Sequence, residues 1–107
     1  MLVAVGGVRF KGAWATAPFY LLAAPSLMQA RRTVGCVFAE TTTETGVVFS
    51  ITGWDSPAAM KRYARAWPHR LAAWSTPYLT ASDRFFHFYA AERPSLAEAI
   101  SRWHSAA

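Results

Sequence analysis

The chain has 107 residues, 53% of them hydrophobic, 15% aromatic and only 16% charged. That length holds one domain and excludes two, and the composition excludes a disordered chain. The net charge of +5 permits nucleic-acid binding, but the basic residues are scattered and no stacking platform alternates with them, so a solvated basic surface is expected.

In chain order, 1–10 reads as a first strand. The pair Gly6-Gly7 weakens it and implies a bulge, or a close approach by a ligand or another backbone. Residues 14–18 read as an irregular lead-in, and 19–32 carries a helical pattern with Phe19, Leu22, Leu27 and Met28 available for packing. Pro25 predicts a break or kink there. The apolar run 13–24 is too short to span a bilayer and is expected to be a core helix and its approach. No charged segment precedes an apolar run at the start, so no signal peptide is expected.

A second strand is expected over 34–40, then a hairpin loop of about four or five residues within 41–46. The strand 47–54 puts Val47, Phe49 and Ile51 on one face and Val48, Ser50, Thr52 and Trp54 on the other. The second face mixes apolar and hydroxyl groups, which suits a pocket or wet interface better than a dry core. Ser56 fits an N-cap and Pro57 the first helical position. Met60, Tyr63, Trp67, Leu71 and Trp74 then recur at helical spacing, with Pro68 expected to kink or restart the helix near Trp67.

Residues 75–82 read as a loop and 85–91 as a last strand with apolar residues on both faces, so both should be covered. Ser95 and Glu98 have capping-box spacing before a terminal helix with a Leu96, Ile100 and Trp103 stripe. The order β-α-β-β-α-β plus a helix predicts an α+β, ferredoxin-like domain over 1–107. Two helices cover one sheet face, and a second copy of the chain is the expected cover for the other.

One cysteine, Cys36, excludes an internal disulfide and points to a reducing, cytoplasmic compartment, with Cys36 itself a small buried hydrophobe. No two histidines have tight ligand spacing, so no metal site is expected. His69 is a candidate general base or axial haem ligand, against the blander reading of a helix-start or surface residue. His87 either lines a pocket or sits hydrogen-bonded in an interface. Trp54, Tyr63, Trp67 and Trp74 would wall a cavity for a flat hydrophobic ligand, or form core. Arg62, Arg65 and Arg70 read as a solvated face or as a mouth for an anionic group.

Residues 19–74 carry a resemblance. A helix ending Gln29-Ala30-Arg31-Arg32, a hairpin, a strand ending in Trp54, then Asp55-Ser56, Ala59-Met60, an aromatic and His69-Arg70 resemble the dimeric α/β-barrel proteins. Among these, they resemble the antibiotic-biosynthesis-monooxygenase-like group, near small bacterial spheroidene-monooxygenase-like proteins. The resemblance implies a homodimeric α/β barrel and a small monooxygenase-like enzyme acting on a hydrophobic aromatic or polyene-like molecule, without a cofactor. The alternatives are a non-catalytic ligand binder or dimeric scaffold, and a haem-binding relative. Haem-degrading members use an Asn on the first strand and a Trp and a His on the second helix. This chain has no Asn at all, and the Trp and His places fall near Tyr63 and Ala73, so haem degradation of that kind is not expected.

Overall fold

The structure is a computed structural model that describes residues 1–66 and 77–106. Four antiparallel strands form one sheet in the order β2-β3-β1-β4: β1 (Leu2–Phe10), β2 (Cys36–Glu44), β3 (Val47–Trp54) and β4 (Thr80–Tyr89). A short 3-10 turn, Ala13–Ala15, leads into helix α1 (Thr16–Arg32); α2 (Pro57–Arg65) follows β3, and α3 (Leu96–Ser105) ends the fold. This is the ferredoxin-like arrangement expected from the element order.

Cross-strand pairing sets two faces. On one, Tyr89, Leu2, Trp54 and Cys36 form a row; His87, Ala4, Thr52 and Ala39 form the next; Phe85, Gly6, Ser50 and Thr41 the third. Helices α1 and α2 bury the first two rows where they cross β1, β3 and β2. Ala30 and Ala59 are fully buried there against Leu2, Ala39 and Trp54, with Leu27, Met60 and Tyr63 packed around them. Small residues at 30 and 59 let the helices approach the sheet closely.

The opposite face carries Val3, Val5, Phe49 and Ile51, all at most 1% exposed. Its cover corrects an expectation: α3 of the same chain packs here through Ala99, Ile100 and Trp103, where the sequence alone called for a second copy. The capping box explains why this helix starts so sharply. The Ser95 hydroxyl accepts from the Glu98 amide at 3.1 Å. Trp103 then docks onto β4: its indole N–H donates to the Arg84 carbonyl at 3.0 Å, and the Arg84 guanidinium lies 3.9 Å above the ring.

Several boundaries also move. Helix α1 begins at Thr16 and runs unbroken through Pro25. Proline removes the hydrogen bond to the carbonyl four residues back, at Leu21, and both Leu21 and Pro25 lie on the exposed side of the helix. The expected core helix is therefore half core: Ser26 and Ala30 are buried, while Ala17, Pro18, Leu21, Ala24, Pro25 and Met28 are exposed. The hairpin loop shrinks to Thr45-Gly46, because β2 continues to Glu44, paired with Val47. Both turn residues have positive φ, 53° and 76°, the signature of a two-residue type I′ turn. Thr41 to Thr43 are β-branched and suit a pleated strand better than a loop. Strand β4 starts at Thr80 instead of 85, as Asp83 and Ser82 pair with Val8 and Arg9. Gly6-Gly7 is not a bulge; the register shift falls between Arg9 and Phe10. The glycines instead admit side chains. A Cβ at Gly6 would stand 2.6 Å from the Phe85 ring, and one at Gly7 2.5 Å from Trp103.

Candidate functional site

The helix-bearing face is closed at one end and open at the other. At the closed end Trp54 is 0% exposed. Its indole N–H donates to the Thr52 hydroxyl at 2.9 Å, and its ring stacks on Tyr63 at 5.1 Å between centroids. Tyr63 is brought there by α2, whose start is fixed by the Ser56 hydroxyl accepting from the Ala59 amide at 3.2 Å, with Pro57 in the first turn. The Tyr63 hydroxyl lies 2.7 Å from the Ser26 hydroxyl and donates to the Ser26 carbonyl at 3.1 Å; the assignment that satisfies both has Ser26 as donor to the phenol oxygen. These bonds tie α2 to α1 across the end of the sheet. Burial pushes the Tyr63 phenol up from its ordinary value, and the Ser26 hydrogen bond partly offsets that. Tyr63 is therefore a neutral donor at physiological pH.

The open end begins four residues back along β3 from Trp54. Every residue of that strand is buried except Ser50, in a strand flanked by β1 and β2. Beside it, Thr41 on β2 is also exposed, and its hydroxyl donates to the Phe49 carbonyl at 2.9 Å. Gly6 lies between Ser50 and Phe85, so the Phe85 ring leans over β1 toward the Ser50 side while remaining 65% exposed. His87 and Tyr89, also exposed, continue the row along β4. By helical spacing Phe19 and Leu22, both half-buried, share the sheet-facing side of α1 with Ser26. The result is an open stretch of sheet with exposed hydroxyls at Ser50 and Thr41 and exposed rings at Phe85, His87 and Tyr89.

The sequence-expected residues separate accordingly. Trp54 and Tyr63 meet as a stacked pair, with Trp54 fully buried behind Tyr63. His87 faces the open row, opposite Ala4. His69, Trp67 and Trp74, with Arg70, lie outside the described residues. Arg62 and Arg65 are exposed beside Lys61 on the outer side of α2, where a shallow depression also involves Ala58 and Ala66. A second depression, beside Pro25, Met28 and Arg32, lies on α1. Among the described residues, no three His, Cys, Asp or Glu side chains gather as a metal-holding group. Cys36 is half-buried and burial pushes its thiol up, which keeps it protonated and a poor nucleophile. Sequence reasoning singled out neither Ser50 nor Phe85. The available signals were the hydroxyl-rich face of 47–54 and the alternation of Phe85 with His87.

Comparison with protein-family models gives no match, and neither does comparison with curated proteins. Solved structures do match. One is a protein of Deinococcus radiodurans described as an antibiotic biosynthesis monooxygenase: TM-score 0.75 at 17% identity, covering 90% of this chain and 98% of that one. Another is SnoaB, a cofactor-independent oxygenase from Streptomyces nogalater: TM-score 0.69 at 20% identity, with 89% and 95% covered. Rv0793 from Mycobacterium tuberculosis aligns with TM-score 0.76 at 13% identity, over 89% and 100%. At these identities the likeness speaks for the backbone: the chain has the ferredoxin-like fold of the antibiotic-biosynthesis-monooxygenase-like proteins.

Proposed function

We propose that the chain is a small monooxygenase-like oxidoreductase that takes a flat, hydrophobic aromatic or polyene-like molecule onto the open stretch of sheet over Ser50 and works without a resident cofactor. The observation that carries this reading is Ser50 itself, a hydroxyl open to solvent on an inner strand whose other residues are all buried. Exposed Phe85, His87 and Tyr89 supply rings along one side, the pairing of apolar walls with few polar groups that small-molecule sites use. Trp54 and Tyr63 form the rigid backing. Trp67 and His69 follow α2 in the sequence, and in this reading His69 serves as the general base. The likeness to SnoaB supports chemistry of this class.

The reaction that asks least of such a site is conversion of a phenol and dioxygen to a quinone and water. The phenol supplies all the electrons, one oxygen atom enters the ring and the other leaves as water. The protein's part is to remove the phenolic proton, hold the phenolate against the aromatic wall, and exclude water.

The working unit in this proposal is a homodimer. Its support is the stacked pair Phe86 and Phe88, 5.7 Å between centroids and only half-buried although Phe88 packs against α3.

The test is aerobic incubation with naphthol-type phenols, following oxygen uptake and quinone absorbance. Turnover that falls at least tenfold in Ser50→Leu and His87→Ala, with unchanged thermal unfolding, supports the reading. Saturable quenching of tryptophan fluorescence by the same phenols without turnover would replace it with the non-catalytic binder. A Soret band in the purified protein would replace it with the haem-binding relative.

A further inference from the structure

The outer face of α1 is apolar as far as Met28, and its side chains are exposed. Trp14, Ala17, Pro18, Leu21, Ala24, Pro25 and Met28 recur every three to four residues, twice as adjacent pairs, and all are exposed. Leu21 is 76% exposed, Trp14 62% and Met28 51%. Surface helices normally turn charge outward; α1 holds no charged residue before Arg31. A contiguous apolar stripe of this kind marks an interaction surface.

Charge around the stripe selects its partner. Arg9 and Lys11 precede it, Arg31 and Arg32 close it, and the first acidic residue of the chain is Glu40. A second copy fits poorly. Stacking two α1 helices parallel or antiparallel sets a basic end against a basic end, with no carboxylate on either helix to compensate. A surface that is apolar within and anionic at its boundary complements the whole stripe. The stripe runs over 15 residues, about 22 Å of helix at 1.5 Å per residue. That is the footprint of a helix lying in the plane of a membrane interface, and no helix of the described residues is long and apolar enough to cross one. Trp14 adds an amphipathic ring of the kind that settles at headgroup level.

We propose that α1 docks its outer face, in the plane of the interface, on an anionic lipid bilayer. Trp14, Leu21 and Met28 enter the acyl boundary, and Lys11 and Arg32 lie at the phosphate level. Arg31 is partly engaged inside the protein, donating to the Ala39 carbonyl at 3.0 Å and lying 3.8 Å from the Glu40 carboxylate, so the basic end rests mainly on Arg32. The inference stands apart from the proposed catalytic reading, which concerns the other side of the same helix.

The experiment is flotation of the full chain with phosphatidylcholine vesicles, with and without about one third phosphatidylserine, at low and high salt. Expected is flotation with the anionic vesicles, at least tenfold stronger than with neutral ones and sharply reduced at high salt, since Debye screening acts on exposed charges. The double variant Leu21→Glu and Met28→Glu changes only outward-facing side chains. It should float at least tenfold less while its thermal unfolding and circular dichroism match the parent. Failure of the parent to float, or flotation unchanged in the folded double variant, overturns the proposal. If the double variant instead converts a dimer to a monomer in sedimentation, the stripe is a self-interface and the proposal is also overturned.

Discussion

Gly6 and Gly7 are neighbours on one strand, yet alanine should be felt very differently at the two. Neither residue needs a positive φ, so backbone strain does not enter. At Gly7 a Cβ would lie 2.5 Å from Trp103 Cζ2, 2.8 Å from Cε2 and 3.1 Å from Phe49 Cε1. Ordinary carbon contacts sit at about 3.5–4.0 Å, so the indole would have to retreat by about 1 Å. It is poorly placed to do so. Its N–H is bonded to Arg84, its face is covered by the guanidinium, its edge meets Phe49 at 5.0 Å, and its backbone belongs to α3. Overpacking of this sort costs about 1–3 kcal/mol. At Gly6 the clash is equally short, 2.6 Å, but the Phe85 ring is mostly exposed and can swing outward. There the reduced freedom of the unfolded chain favours alanine by about 0.4–1 kcal/mol, and the net change should be close to zero. Urea unfolding followed by far-ultraviolet circular dichroism measures both. Gly7→Ala should lower the midpoint and Gly6→Ala should leave it nearly unchanged. In a Trp103→Ala background the Gly7→Ala penalty should vanish, a coupling of about 0.5–3 kcal/mol. Equal midpoints for the two glycine variants, or a coupling below about 0.3 kcal/mol, the ordinary limit of additivity, would refute the packing argument.

Further outcomes are expected. Trp54→Ala should cost about 3–5 kcal/mol in chemical unfolding, the range for a fully buried large aromatic; a much smaller loss would mean that the position opens into a pocket in solution. Tyr63→Phe should cost about 0.5–1.5 kcal/mol, because it breaks the bonds to Ser26; a neutral result would show that α1 and α2 are not held together there. Stability should also fall with alkaline pH. The folded state keeps the Tyr63 phenol protonated beyond its ordinary value of 10.0, so the unfolded chain loses that proton first. Stability is complete below that value and declines as pH rises through and above it. The raised Cys36 thiol acts in the same direction from 9.0, and Tyr63→Phe should flatten the phenolic part of the decline in unfolding midpoints measured across this range. Finally, sedimentation at micromolar concentration should give twice the 11.8 kDa chain mass, and Phe86→Glu should return it to a monomer; a parent that sediments as a monomer removes the homodimer.

The local elements were legible in the sequence because local chemistry fixes them. Strand 47–54 shows two alternating faces, and both are present, with Ser50 as the polar break. Ser56-Pro57 and Ser95 with Glu98 start helices because a hydroxyl can satisfy an orphan amide one turn away, whatever the rest of the chain does. The order of elements then left one economical fold. Other features depend on partners distant in sequence. Pro25 could have broken α1, but it falls on the exposed side of the helix, and which side is exposed is set by docking on the sheet. Gly6 and Gly7 suggested a bulge, whereas Phe85 and Trp103, some 80 to 100 residues away, decide what the missing side chains make room for. Trp54 looked the same as core or as pocket wall, since an apolar ring at a strand end suits either. Only the stack on Tyr63 and the closure by Ala30 and Ala59 make it core. Likewise, the second sheet face advertised its need for a cover, but a pattern of apolar residues names no partner. The terminal helix of the same chain supplies it because Trp103 finds both a hydrogen-bond acceptor and a glycine-sized gap on that face.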